Sequence, residues 1–396
     1  MSNFIYIPSF FSGEYGGTMK KNFRFSKSNM TCRYYADDFP EKYQHKYALI
    51  SAGANSSKTY RHDLGLDNSF VLGDSGGYQI ASGAMKWDIK HRDRIFNWLE
   101  TNSDVAINLD IPPRMKYAGK FNECLDISKD NFKYFYENQT GNTKFLNVLQ
   151  GENELSYLNW YNGVKDFQFN GWSIGGVRGN LYRMLSGIYT LINNKEHLNL
   201  NNDYFHILGA SRVRDFLMLI QLQKSLEDIG SNITVTTDSS TPDRHVVYGL
   251  YFINYSIKHE NLDAITFPNG SNNPDIIDWF KTTNQTIPKF TEFDNIIGEE
   301  FSWKDVADWN LDCKIGMRLH NFYLLKDAIQ AITWLVYGHD YILKQSINSN
   351  TYKILQSIDE MVKSSNPTKI FEKYKPLYMK LSNMSIKTDV KNHDFF

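Results

Sequence analysis

Eight short apolar runs recur along this chain, each ending in small or polar residues and followed by a stretch with helical spacing. No other feature restricts the fold as tightly. The runs are Phe4–Ile7, Tyr47–Ile50, Phe70–Leu72, Val105–Leu109, Phe145–Leu149, Phe169–Ile174, Phe205–Leu208 and Ile233–Val235. Continuous short apolar runs read as strands buried on both faces. Between them lie amphipathic stretches. In one, Ile89, Ile95, Trp98 and Leu99 form the apolar side; in another, Val213, Phe216, Leu217 and Ile220 follow a possible N-cap at Ser211 and stop near Gly230. Strands alternating with helices imply parallel βαβ units. Eight units within roughly 250 residues predict an α/β fold of the (β/α)₈ barrel type. A doubly wound open sheet is the alternative, because periodicity does not report closure.

Residues 245–316 break the repeat. They hold turn-rich pieces such as Pro268-Asn269-Gly270 and Asn272-Asn273-Pro274, and read as an insertion after the eighth strand. A helix is predicted from about His320 to Tyr337, which closes the barrel region at about residue 340. Residues 341–396 then form a helical, lysine-rich extension carrying Lys363, Lys369, Lys373, Lys375, Lys380 and Lys387. That lysine face reads as solvated, with a nucleic-acid contact as the alternative. The 43 Lys and Arg balance 44 Asp and Glu, which excludes a globally basic nucleic-acid binder but permits a local basic patch. Three widely spaced cysteines, Cys32, Cys124 and Cys313, indicate reduced thiols rather than a disulfide framework. No apolar run is long enough to span a membrane, and the N-terminus lacks a charged-then-apolar signal pattern. A soluble, cytoplasmic protein is expected.

In a barrel of this kind, chemistry collects where the strands end. The third run ends in Asp74-Ser75-Gly76-Gly77-Tyr78-Gln79, and the fourth in Asp110, within Asn-Leu-Asp-Ile-Pro-Pro-Arg. The fifth ends in Gln150-Gly151, the sixth in Gly175-Gly176, the seventh in Gly209-Ala210-Ser211, and the eighth in Asp238. An aspartate at one strand end is ordinary, since Asp caps helices well. Three carboxylates converging on one mouth are costly unless something uses them, because like charges oppose joint ionisation. Arg114, Arg178, Arg212, Arg214 and Arg244 all follow strand ends and form a candidate basic rim for phosphates, unless they pair locally with Asp215 or Asp243.

These segments resemble the motifs of the tRNA-guanine transglycosylase superfamily. The resemblance rests on Asp74-Ser75-Gly76-Gly77-Tyr78-Gln79, Leu149-Gln150-Gly151, Ser173-Ile174-Gly175-Gly176, Asp238 followed by Pro242 and Arg244, and Leu319-His320-Asn321, and it spans about residues 65 to 335. It implies a (β/α)₈ fold and a set of roles. Asp238 would be the nucleophile that bonds covalently to the sugar, and Asp74 the acid/base that moves the proton of the departing and entering bases. Asp110, Gln150, Gly175 and Gly176 would bind the polar edge of the base, beside Gln79, and Tyr78 would stack on its face. Arg244 matches a family arginine near the nucleophile; the contact of Arg178, Arg212, Arg214 and Arg244 with nucleic acid rests on the rim reading alone.

The departures matter too. Cys313 is the sole cysteine near His320, so the closely spaced cysteines of a structural zinc site are missing. No metal and no other cofactor is expected, and His320 reads as a helix-start or core histidine. No added RNA-binding module is evident. The chain looks most similar to the phage-type, DNA-modifying branch, which exchanges guanine in DNA for a 7-deazaguanine derivative and so shields phage DNA from restriction. The expected partners are DNA with a flipped-out or unpaired guanosine, the free guanine and 7-deazaguanine bases, and a second copy of the chain as a possible homodimer. The setting would be a host cytoplasm. A tRNA-modifying enzyme, a glycosidase and a non-catalytic barrel that binds a partner or nucleic acid are the other readings.

Overall fold

The computed structural model describes residues 2–382 apart from 11, 12, 56, 178, 267–285, 288, 290 and 309. Eight parallel strands form one sheet: β1 (Ile5–Pro8), β2 (Tyr47–Ser51), β3 (Phe70–Asp74), β4 (Val105–Ile107), β5 (Lys144–Leu149), β6 (Gly171–Ile174), β7 (Tyr204–Ile207) and β8 (Thr234–Ser239). Consecutive strands pair from β2 to β8, and β8 pairs with β1, so the sheet curls round until β1 and β2 are neighbours. The expected α/β (β/α)₈ barrel is therefore present, and the doubly wound alternative is excluded.

The strands are almost wholly buried. With both faces covered, each needs an unbroken apolar run rather than alternation, which is the pattern in the sequence. Among the described residues β1 and β2 share no ladder. Side chains close this seam instead: His45 Nε2 donates to the Tyr6 carbonyl at 2.8 Å, and Tyr34 donates its hydroxyl to the Tyr47 carbonyl at 3.3 Å. Burial pushes the His45 imidazole down to about 3. Rings from Tyr6, Phe10, Tyr34 and Phe322 pack over the seam, Tyr6 stacked on Phe322 and the other pairs edge-on or tilted, with centroids 5.2–6.2 Å apart.

The helices follow the expected punctuation with two shifts. In the helix Ile89–Asn102, Ile95, Trp98 and Leu99 are buried, but Ile89 is exposed. The cap of helix Val213–Asp228 lies one residue after the expected Ser211. Arg212 is its N-cap, Ser211 instead receives the Thr241 hydroxyl, and Gly230 follows the helix end with φ +76°.

Beyond β8, helix Thr241–Val247 leads into an antiparallel hairpin, β9 (Leu250–Ser256) and β10 (Asn261–Thr266). Short helices Glu292–Ile297 and Trp303–Ala307 precede the long helix Leu311–Tyr337. That helix begins nine residues before the expected start, at an Asn310 side chain that accepts from the Asp312 and Cys313 N–H groups. The turn-rich pieces at 268–270 and 272–274 lie outside the described residues, as do the chain after Ser382 and Lys387 with it.

Three further helices follow: Ser349–Lys363 and Pro367–Ser382 pack on the barrel helices Val213–Asp228 and Leu181–Asn193, and Asp340–Ser346 packs on the long helix Leu311–Tyr337. Ile354, Ile358, Phe371 and Tyr378 join the same hydrophobic core as the barrel strands. Three of the lysines of this region pair with acids: Lys363 with Asp228 and Asp359, Lys373 with Glu360, and Lys375 with Glu154. Cys32, Cys124 and Cys313 are buried free thiols, and burial raises all three. No helix among the described residues is long and apolar enough to cross a membrane.

Candidate active site

Parallel strands put all their C-terminal ends at one end of the barrel, where a cleft of about 420 Å³ opens. Its walls include Asp74, Tyr78, Gln79, Asp110, Arg114, Gln150, Gly175, Gly176, Gly209, Asp238 and Arg244. Both candidate catalytic carboxylates and the whole candidate base-binding set thus face one space. The volume lies within the usual range for small-molecule pockets.

Asp74 is the last residue of β3. Ser51, its register partner on β2, donates its hydroxyl to Asp74 Oδ2 at 2.8 Å. The chain then turns through Gly76, whose φ of +90° and close approach to Gly53 exclude a side chain, and enters helix Gly77–Ser82. Burial pushes Asp74 above its ordinary value, and the negative charge of Asp238 adds to this. The Ser51 hydroxyl and the Gly76 N–H oppose the shift.

Tyr78 sits on the first turn of that helix, 48% exposed, with the Arg114 guanidinium over its ring at 4.9 Å. Gln79 Oε1 is buried and has no hydrogen-bond partner among the described residues. An unpaired buried acceptor in a cleft wall is costly, which fits an N–H donor on a ligand.

Asp110 and Gln150 form the floor. Both are buried, and Gln150 Nε2 donates to Asp110 Oδ2 at 2.7 Å. Burial above all pushes the Asp110 carboxyl up to about 6, with a smaller contribution from the Asp74 charge, against the Gln150 bond and the Arg114 charge. The Gly175-Gly176 turn closes over Gln150. A Cβ at Gly175 would lie 2.3 Å from Gln150 Nε2, and Gly176 has φ +78°. Tyr157 fixes this turn by donating its hydroxyl to the Gly175 carbonyl at 2.7 Å. Apart from the Gln150 bond, the floor offers a carboxylate, an amide and backbone groups to a flat polar molecule.

Asp238 lies near the end of β8. Its Oδ1 receives the Gly209 backbone N–H at 2.8 Å and faces His206 Nε2 at 3.2 Å. Neither His206 nor Ser51 was among the sequence candidates. Each is a polar residue within or at the end of an apolar strand run, and that was the one available signal.

The arginines divide. Arg114 and Arg244 line the cleft, and Arg244 also donates to the Tyr248 hydroxyl at 3.1 Å. Arg212 is held by both oxygens of buried Asp215, at 2.7 and 3.0 Å. Arg214 is 5% exposed and bonds Glu260 and, at 3.1 Å, the Leu381 carbonyl. Arg214 therefore does not reach the rim, and Arg212 is committed to a local ion pair. Asp243 is taken by Arg318 of the long helix at 2.5 Å, not by a rim arginine. Arg178 lies outside the described residues.

His320 is a core residue in mid-helix, not a helix start. Its Nδ1 meets Asp294 and its Nε2 the Phe252 carbonyl, both at 2.6 Å, and the ring stacks on Tyr251. Among the described residues no group of three His, Cys, Asp or Glu side chains is arranged to hold a metal ion.

Fold and site together define a (β/α)₈ barrel with a carboxylate-lined cleft at the strand ends. The chain matches no family model and no curated protein.

Proposed function

We propose that this protein is a transglycosylase that exchanges guanine in DNA for a 7-deazaguanine derivative. The observation that carries the reading is the single cleft in which Asp74 and Asp238 face a floor made of Asp110, Gln150, Gly175 and Gly176. The motif resemblance assigns those residues to this chemistry, and the geometry supports it on physical grounds.

Replacing a base without cutting the strand takes two displacements at the anomeric carbon. In the first, an Asp238 carboxylate oxygen bonds to that carbon as the glycosidic bond breaks. The bond's electron pair leaves on guanine, and the proton held by Asp74 goes with it. In the second, the entering base gives its ring proton to Asp74 and its nitrogen bonds to the anomeric carbon as the ester to Asp238 breaks. Two inversions retain configuration, as in retaining glycosidases. The raised Asp74 carboxyl suits a group that must hold a proton and then take one back.

On the floor, ionised Asp110 accepts from the ring and exocyclic N–H groups of guanine, an edge that adenine lacks. Gln79 Oε1 supplies a further acceptor. Tyr78 contributes base stacking worth ~1–3 kcal/mol. A base within a duplex does not reach a barrel mouth, so the target nucleotide is flipped out or unpaired. Among the described residues Arg114 and Arg244 are the cationic side chains that line that mouth. On this reading the enzyme works in the cytoplasm, and the phage-type resemblance extends its role to shielding DNA from restriction.

The test is incubation with labelled guanine or 7-deazaguanine and either DNA or tRNA, followed by nucleoside analysis. Label entering DNA is expected. Label entering tRNA alone would move the reading to the RNA enzyme, and label in neither polymer would end it.

A further inference from the structure

The nucleophile reading leaves one group unexplained. His206 lies on β7 with no solvent exposure, between two polar atoms of β8. A buried imidazole costs stability unless its nitrogens are satisfied. Here both are, and in one direction.

His206 and Thr236 are register partners in the β7–β8 ladder, with His206 Nδ1 2.8 Å from Thr236 Oγ1. His206 Nδ1 is the only partner of the Thr236 hydroxyl among the described residues. A hydroxyl that donates to Nδ1 puts the ring proton of neutral imidazole on Nε2. Nε2 faces Asp238 Oδ1 at 3.2 Å, and a carboxylate oxygen only accepts. The Gly209 N–H, from the turn that ends β7, reaches the same oxygen at 2.8 Å.

Both donors therefore come from β7 and the turn that ends it, and both act on Oδ1. Among the described residues Oδ2 has no hydrogen-bond partner, while Asp238 itself lines the cleft. Rotating the carboxylate to exchange its oxygens would break two bonds at once.

We propose that His206 is a positioning residue for the nucleophile. Oriented by Thr236, it acts with the Gly209 N–H to fix Asp238 Oδ1 and present Oδ2 to the anomeric carbon. The proposal rests on the transglycosylase reading. It deepens that reading by saying which oxygen forms the glycosyl ester and which residues choose it. The same two donors hold Oδ1 as the ester forms on Oδ2 and as it breaks, so the effect falls on both displacements rather than on ground-state binding.

The test uses the full chain with DNA and labelled guanine. His206→Leu should lower kcat on the order of 10²-fold, the scale of a misplaced reacting group, with KM for DNA and for base unchanged. His206→Gln, whose amide N–H approaches from the position of Nε2, should recover part of that loss. Thr236→Val, nearly the same shape, should lower kcat by less with KM again unchanged, and it keeps the test alive if His206→Leu does not fold.

Two outcomes overturn the proposal while the transglycosylase reading survives. One is a kcat within about 2-fold of wild type in both His206→Leu and Thr236→Val, well inside the misplacement scale. The other is a loss in His206→Leu that follows KM and thermal stability and that Gln does not recover, which is the pattern of a purely structural histidine. A wild-type protein that exchanges no base in any polymer removes the reading beneath the proposal, and the proposal with it.

Discussion

Asp110 links stability and binding in opposite senses. Its carboxyl is pushed up to about 6 in the folded protein, against an ordinary value of 3.8. Between those two values the folded chain holds the proton more tightly than the unfolded one. Stability from this group is therefore fully present below about pH 4 and is lost as pH rises through about 6. Asp110→Asn removes the buried charge, so the variant should gain on wild type by up to about 3 kcal/mol at pH 7.5, with the gap closing toward pH 4. Thermal unfolding at several pH values measures this, and a gap that does not vary with pH would refute it. Base binding runs the other way, because ionised Asp110 is the better acceptor. Affinity of wild type for free guanine should rise through pH 6 in calorimetric titration, and Asp110→Asn should flatten that rise.

Asp238 makes a sharper case at the same scale. Asp238→Ala should abolish exchange and any covalent adduct with DNA while free-base affinity is kept, since Asp110, Gln150 and Gln79 remain. A variant that still exchanges bases would remove the nucleophile assignment. These carboxylates were legible in the sequence because each closes a strand run. His206 and Ser51 were not singled out. They act through partners on neighbouring strands, and a hydrogen bond between residues 206 and 238 leaves no local pattern.

At the scale of elements, the parallel strands were legible and the long helix was legible only in part. A strand buried on both faces must be continuously apolar, so its pattern survives in one dimension. The first half of helix Leu311–Tyr337 is buried on every side, from Cys313 through Leu325, with Lys314, Arg318, His320 and Asn321 inside it. A helix with no solvent face has no amphipathic stripe, and its polar residues read as a loop.

One of those residues secures the hairpin. Asn321 accepts the Phe252 N–H at 2.8 Å and donates to the Leu250 carbonyl at 3.1 Å. Asn321→Ala should leave these backbone groups buried and unpaired, at a cost of about 2–3 kcal/mol in urea unfolding. A change below about 0.5 kcal/mol, the range of ordinary surface substitutions, would show that the hairpin is held otherwise. Helix Thr241–Val247, which carries Arg244, leads directly into this hairpin, so the clamp also bears on the cleft mouth.

Across the whole molecule, one buried polar cluster joins parts that are distant in sequence. Arg214, on a barrel helix, bonds Glu260 in the hairpin turn and the Leu381 carbonyl in the last described helix. Thr351, in the C-terminal extension, donates to the same Glu260. Breaking such a pair from one side strands a buried charge. Arg214→Leu should cost about 3–5 kcal/mol, and the double change Arg214→Leu with Glu260→Leu should recover most of it. Urea unfolding of the three proteins tests this, and equal losses in the single and double variants would contradict it. If the cleft takes DNA as proposed, Arg244→Ala should weaken DNA binding in a titration without a comparable loss of stability in urea.

The linear chain alone set the residue chemistry and the succession of strands and helices, since apolar runs, glycine turns and terminal carboxylates are local patterns. Closure of the sheet was decided by the pairing of β8 with β1, which no local pattern reports. Which arginines reach the cleft was decided only in three dimensions. Arg212 and Arg214 follow a strand end just as Arg114 and Arg244 do, yet Asp215 and Glu260 claim them. The same holds for the oxygen of Asp238 that is tied down and for the residue that ties it. A charge settles on the partner that best offsets its desolvation, and that partner can lie forty or more residues away, as Glu260 does from Arg214.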